Sequence, residues 1–141
     1  MRVQSLIKTP QLLNDVKGKK EKLNIEQKLK LIKLQQRDMH VRAHEAAHIA
    51  VGGSLVAGGA TYTYQRGPDG KLYAVGGEVK IQIPKSKNPK ENIKIARQVR
   101  AAALAPSNPS PQDLKVASMA MMMEIKAMQE LNKAKNLNII G

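Results

Sequence analysis

Val41-Arg42-Ala43-His44-Glu45-Ala46-Ala47-His48-Ile49-Ala50 is the stretch on which the fold turns. Its centre reads H-E-x-x-H. On a helix, residues four apart share a face, so both imidazoles can address one ion. Zn²⁺ accepts neutral imidazole nitrogens at about 2.0–2.1 Å. Glu45 falls roughly 60° round the helix from His48 at about 100° per residue. That places its carboxylate beside an ion rather than on it, as a general base acting on water requires. A pair of surface histidines is the bland alternative, and Ala46 and Ala47 argue against it. One apolar arc holds Leu29, Ile32, Met39, Ala43, Ala47 and Ala50, and another holds Leu31, Leu34, Val41 and Ile49. Both arcs read as buried stripes, with the histidines in a cleft between them.

Working outward, Asn24 reads as an N-cap with Gln27 as its capping-box partner, and Gly52-Gly53 as a stop. A helix is therefore expected from Ile25 to about Val51. Lys30, Lys33 and Arg37 form a basic row along its first half, read as a wet surface. His40 continues the i, i+4 series, but one straight helix cannot use it together with His48. The two stand about 12 Å apart along the axis, whereas two ligands of one zinc lie within about 4 Å.

A catalytic zinc usually takes three protein ligands and keeps one open position. The remaining carboxylates weighed near the motif are Asp38, Asp69 and Glu78. Asp38 lies about 120° from His44 round the helix. Asp69 is explained by turn chemistry. Glu78 follows Gly76-Gly77, which leave room for a close backbone approach, and a Glu starting a strand has no propensity reason to be there. Glu78 is therefore the expected third ligand. Tyr62, Tyr64 or Tyr73 can donate a phenolic hydrogen bond to a developing oxyanion. Tyr73 is the candidate carried forward, against the commoner role of cross-strand packing.

Beyond the helix the texture changes. Thr61-Tyr62-Thr63-Tyr64 alternates as a strand does, Gly67-Pro68-Asp69-Gly70 is a turn, and Lys71–Val75 returns as a second strand. Gly76-Gly77 reads as a break before a third strand over 78–83. The expectation is a small antiparallel meander. Asn88-Pro89-Lys90-Glu91 starts a helix expected to reach Leu104, and Ser110-Pro111-Gln112-Asp113 starts another expected to reach about Lys135. Met119, Met121, Met122, Met123 and Met128 are expected as core filling, with an adaptable partner surface as the alternative. Residues 1–23 are Lys-rich and read as a loosely ordered tail, with a short helix around Gln11–Val16. Residues 24–137 read as one domain.

The chain of 141 residues is long enough for one modest core. It has no Cys, which excludes disulfides and thiolate metal sites. No apolar run is of spanning length and the start does not read as a signal peptide, so a cytoplasmic location and no membrane partner are expected. The net charge is +13. Residues 1–37 carry ten Lys/Arg against three acids, residues 38–84 four against four, and residues 85–141 ten against four. The excess thus lies in the flanks. No aromatic-interleaved strand accompanies it for stacking bases, so nucleic acid is not an expected partner.

Several separated motifs also resemble one family. Asp38, Val41–His48, Gly67–Val79, Ala101–Pro106 and Pro109–Asp113 are similar, in order, to the bacterial SprA-related metalloprotease catalytic domain, over about Gln36 to Ala120. The resemblance implies a zincin-type metallopeptidase, with His44 and His48 as zinc ligands and Glu45 as base. Against other zincins the chain departs. Val51 stands where metzincins carry Gly, Ser54 where they carry a third His, and Glu78 would come from a strand edge.

The expected fold is α+β, a minimal zincin-like domain with a long H-E-x-x-H helix, a β-meander and two C-terminal helices. The expected function is hydrolysis of peptide or protein substrates by a zinc-activated water. A non-catalytic, metal-stabilised protein-binding module is the alternative. Oligomeric state is not legible in the sequence.

Overall fold

The computed structural model describes residues 22–140. The basic stretch before Lys22, with the short helix expected around Gln11–Val16, lies outside the described residues. Among the described residues the order is α1 (Ile25–Gly52), a hairpin of β1 (Val56–Arg66) and β2 (Leu72–Ile81), then α2 (Pro89–Ala103) and α3 (Pro111–Ile140), with a 3-10 turn at Gly53–Leu55 after α1. This is a small mixed α+β arrangement with a two-stranded antiparallel sheet.

The local signals account for the helix starts. The Asn24 N–H donates to Gln27 Oε1 at 3.0 Å, and the Gln27 N–H to Asn24 Oδ1 at 2.8 Å. That reciprocal pair satisfies two of the donors a helix start leaves open. Asn88 caps α2 by accepting from the Lys90 N–H, with Pro89 in the first turn. Helix α3 runs on past Lys135, the expected end.

The sheet differs from the expected meander. Among the described residues there is no third strand: β2 runs through Gly76-Gly77 without a break. β1 starts before Thr61, with Gly58 and Gly59 inside it at φ +79° and +84°. Those left-handed values suit glycine, so the pair re-aims the strand instead of delimiting it.

Two compact units divide the chain: one up to His40 with Thr63–Gly76, the other Val41–Tyr62 with the chain from Gly77 onward. In the first, the Ala74 N–H donates to Asp38 Oδ1 at 2.7 Å and Arg37 Nε to the Val75 carbonyl at 2.9 Å. Leu34 and Ala74 are its buried apolar residues among those described. In the second, α2 packs on α3. Leu55, Val99 and Ala120 form the core, flanked by Ile81, Ile83, Ile95 and Val116. Ala96, Ala102, Ala103, Ala117 and Ala127 are buried as well. Alanine on both faces lets two helix backbones approach closely.

That packing overturns two expectations. Of the two apolar arcs on α1, only Leu34 is buried, while Leu29, Ile32, Met39 and Ile49 are exposed. Four of the five methionines are not core filling: Met119, Met121, Met122 and Met128 are exposed, while Met123 is half-buried. On α3 the buried apolar residues are Ala117, Ala120 and Ala127. Among the described residues no helix is long and apolar enough to cross a membrane.

Candidate metal centre

Three elements of the second unit build the site. Helix α1 supplies His44, Glu45 and His48. The end of α2 supplies a backbone carbonyl, and the first turn of α3 supplies Asp113. His48 Nδ1 lies 2.8 Å from the Ala102 carbonyl oxygen. A carbonyl only accepts, so Nδ1 carries the hydrogen and the neutral ring's lone pair is on Nε2. That Nε2 faces His44 Nε2 at 3.2 Å and Asp113 Oδ1 at 3.2 Å. His44 Nε2 in turn stands 3.0 Å from Asp113 Oδ2. The two rings meet edge to face, with centroids 4.9 Å apart.

Asp113 is held by its own helix start. Its Oδ2 accepts from the Ser110 N–H at 2.9 Å, and its N–H donates to Ser110 Oγ at 3.1 Å. Burial pushes its carboxyl up, but the Ser110 hydrogen bonds and the two histidines outweigh that and hold it below its ordinary value. Glu45 shows the opposite balance. It is only 4% exposed. Burial pushes its carboxyl up, and His44 and His48 only partly offset that. The neighbouring carboxylates of Asp113 and Glu78 raise it further.

One ligand atom from each of His44, His48 and Asp113 lies within 4.8 Å of the others. Four-coordinate zinc at about 2.0–2.1 Å places its ligand atoms about 3.3 Å apart, close to the separations found here. The chemistry of the group agrees. A histidine lone pair aimed at a carboxylate repels it unless a proton or cation lies between. Glu45 Oε2 is buried beside them with no hydrogen-bond partner among the described residues, and such an atom calls for a water or an ion. The residues therefore fit a divalent cation.

A cavity of about 620 Å³ opens onto this group. The β2 segment from Gly77 to Ile81 lines it, as do Gln112 and Val116. Gly77 makes that arrangement possible. A Cβ there would stand 3.0 Å from Tyr62 Cδ1, 3.1 Å from Glu45 Cγ and 3.3 Å from the Thr61 carbonyl oxygen. A side chain there would require those neighbours to give by a few tenths of an ångström.

The expected site residues thus divide. His44, Glu45 and His48 come together. Glu78 lines the same cavity, but it is exposed and falls outside the converging group, whose acid is Asp113. Tyr73 is not among the cavity's residues, and its hydroxyl donates to Asp69 Oδ2 in the first unit. His40 is exposed and does not join the converging group.

The family model of the SprA-related family matches residues 2–140. The chain belongs to the SprA-related family. Family membership thereby extends past both ends of the stretch from Gln36 to Ala120, and takes in all three elements that carry the site. No curated protein and no solved structure matches the chain in the other two comparisons.

Proposed function

We propose that this SprA-related chain is a zinc-dependent peptidase of zincin-like build, with His44, His48 and Asp113 holding the ion and Glu45 as general base. The observation that carries the reading is the convergence of two imidazole nitrogens and one carboxylate beside a buried, unpartnered Glu45 oxygen. Bound zinc supplies a Lewis acid that polarises a carbonyl and makes water more acidic.

The chain's own residues do the rest. The Ala102 carbonyl fixes the His48 tautomer, and the α3 cap fixes Asp113, so the ligand set is preorganised. Glu45 takes a proton from the attacking water and returns it to the leaving amine. Its raised pKa brings it nearer neutrality, which favours both transfers. β2 is one strand of a two-stranded sheet and lines the cavity. An extended peptide can add along the 77–81 stretch of β2 that lines the cavity, through main-chain hydrogen bonds.

The test compares wild type with Glu45→Gln, each loaded with zinc, for metal content and for cleavage of an unstructured peptide library. We expect one zinc per chain in both proteins and cleavage by wild type alone. Zinc bound with equal cleavage in both would remove Glu45 as base. Zinc bound with no cleavage by either would leave a metal-stabilised binding module.

A further inference from the structure

Away from the histidines, α2 and α3 leave a groove of about 420 Å³. Ile93, Met128 and Leu131 supply its apolar lining, and Lys90, Lys94 and Lys135 its charge. Met128 and the three lysines are exposed. Lys90 and Lys94 stand one helical turn apart on α2, and Lys135 stands on α3, so positive charge comes from both helices. Arg97 also lines the groove, but its Nε lies 3.3 Å from Glu124 Oε1.

The local acids do not answer the lysines. Segment 85–141 has only Glu91, Asp113, Glu124 and Glu130. Glu91 accepts from the Ser86 hydroxyl, Asp113 faces the histidines, and Glu124 faces Arg97 and Arg100. Glu130 lines a different cavity. Among the described residues Lys90, Lys94 and Lys135 have no ion-pair partner.

We propose that this groove docks an acidic amphipathic segment of another protein. One or two large apolar side chains of that segment lie against Ile93, Met128 and Leu131, and flanking Asp or Glu residues meet the lysines. Charge complementarity selects the sign of the partner and speeds encounter, while the desolvated centre holds it. Nucleic acid fits less well, because the groove has no aromatic platform for bases and the apolar centre would stay uncovered. An anionic bilayer would meet the lysines without filling a concave groove. The inference stands independently of whether the histidines hold zinc.

The experiment titrates the full chain against a fluorescein-labelled helical peptide carrying Glu at i and i+4 around Leu, read by anisotropy. Saturable binding is expected, and Lys94→Glu with Lys135→Glu should weaken it at least about tenfold. Met128→Asp should weaken it comparably with every lysine in place. A peptide of the same composition with Glu and Leu scrambled should bind much more weakly. Each variant is checked by circular-dichroism melting, and Lys94→Gln with Lys135→Gln replaces any charge reversal that fails to fold. Peptide binding unmoved by Met128→Asp would overturn the proposal. So would tighter binding of poly(U) RNA or phosphatidylserine vesicles than of the peptide at the same lysines.

Discussion

Asp113 Oδ2 serves two partners at once, the Ser110 amide at 2.9 Å and His44 Nε2 at 3.0 Å. An acid in the first turn of a helix that starts Ser-Pro is explained by capping alone, so nothing in its residue type marks it as a partner of the histidines. The signal that could have singled it out was that Pro109–Asp113 is one of the stretches shared with the family. Asp113→Asn is expected to lower zinc affinity at least about tenfold, read by competition with a chelating dye, whereas Glu78→Gln should leave it unchanged. The reverse result would restore Glu78 to the ligand set. Tyr73 raises a second residue-scale question. Its hydroxyl bond holds the Asp69 carboxyl below its ordinary value and, with burial, raises the Tyr73 phenol above its own. A lowered acid contributes stability above its unfolded pKa of about 3.9, and loses it as pH falls through the folded value. A raised phenol contributes below about pH 10, and loses it as pH rises through the folded value. The pair therefore supports the first unit most between those limits. Tyr73→Phe should flatten both edges of a melting-temperature profile against pH, and should leave zinc content unchanged.

At the scale of elements, Gly76 and Gly77 are neighbours in one strand with opposite requirements. A Cβ at Gly76 would meet nothing nearer than Thr63 Cβ at 3.8 Å, an ordinary contact. At Gly77 it would press on Tyr62, Glu45 and the Thr61 carbonyl. Gly77→Ala should cost about 1–3 kcal/mol by overpacking and weaken zinc binding through the displaced Glu45 face, whereas Gly76→Ala should change little. Equal melting temperatures for the two variants would refute that division. The sequence made the glycines conspicuous and correctly suggested a close approach. It could not say that the approach is to Glu45, because that depends on which helix lies beneath the strand. The helix starts, by contrast, were legible. The Asn24–Gln27 box, the Asn88 cap and the Gly52-Gly53 stop each depend on residues within a few positions of one another.

For the whole molecule, metal and folding are expected to be linked. Zinc at about a hundred times its dissociation constant adds about 2.7 kcal/mol to a chain that binds it only when folded. Chelation should then lower the wild-type melting temperature by about 5–10 °C and leave His48→Ala unmoved, as scanning calorimetry with and without EDTA would register. A chelator effect of equal size in His48→Ala would place the ion elsewhere. Read by itself, the sequence determined what short range controls: the histidines on one helical face with Glu45 beside them, the capped helix starts, the Gly67–Gly70 turn and the basic flanks. Periodicity and capping act within a few residues, so residue order suffices to fix them. Only the tertiary structure decided which acid meets the imidazoles, that the Tyr73 hydroxyl is engaged by Asp69, and that α3 buries Ala117, Ala120 and Ala127 while Met119, Met121, Met122 and Met128 stay exposed. His44 and Asp113 are 69 positions apart, and partners at that distance are selected by how element faces pack, which no local pattern encodes.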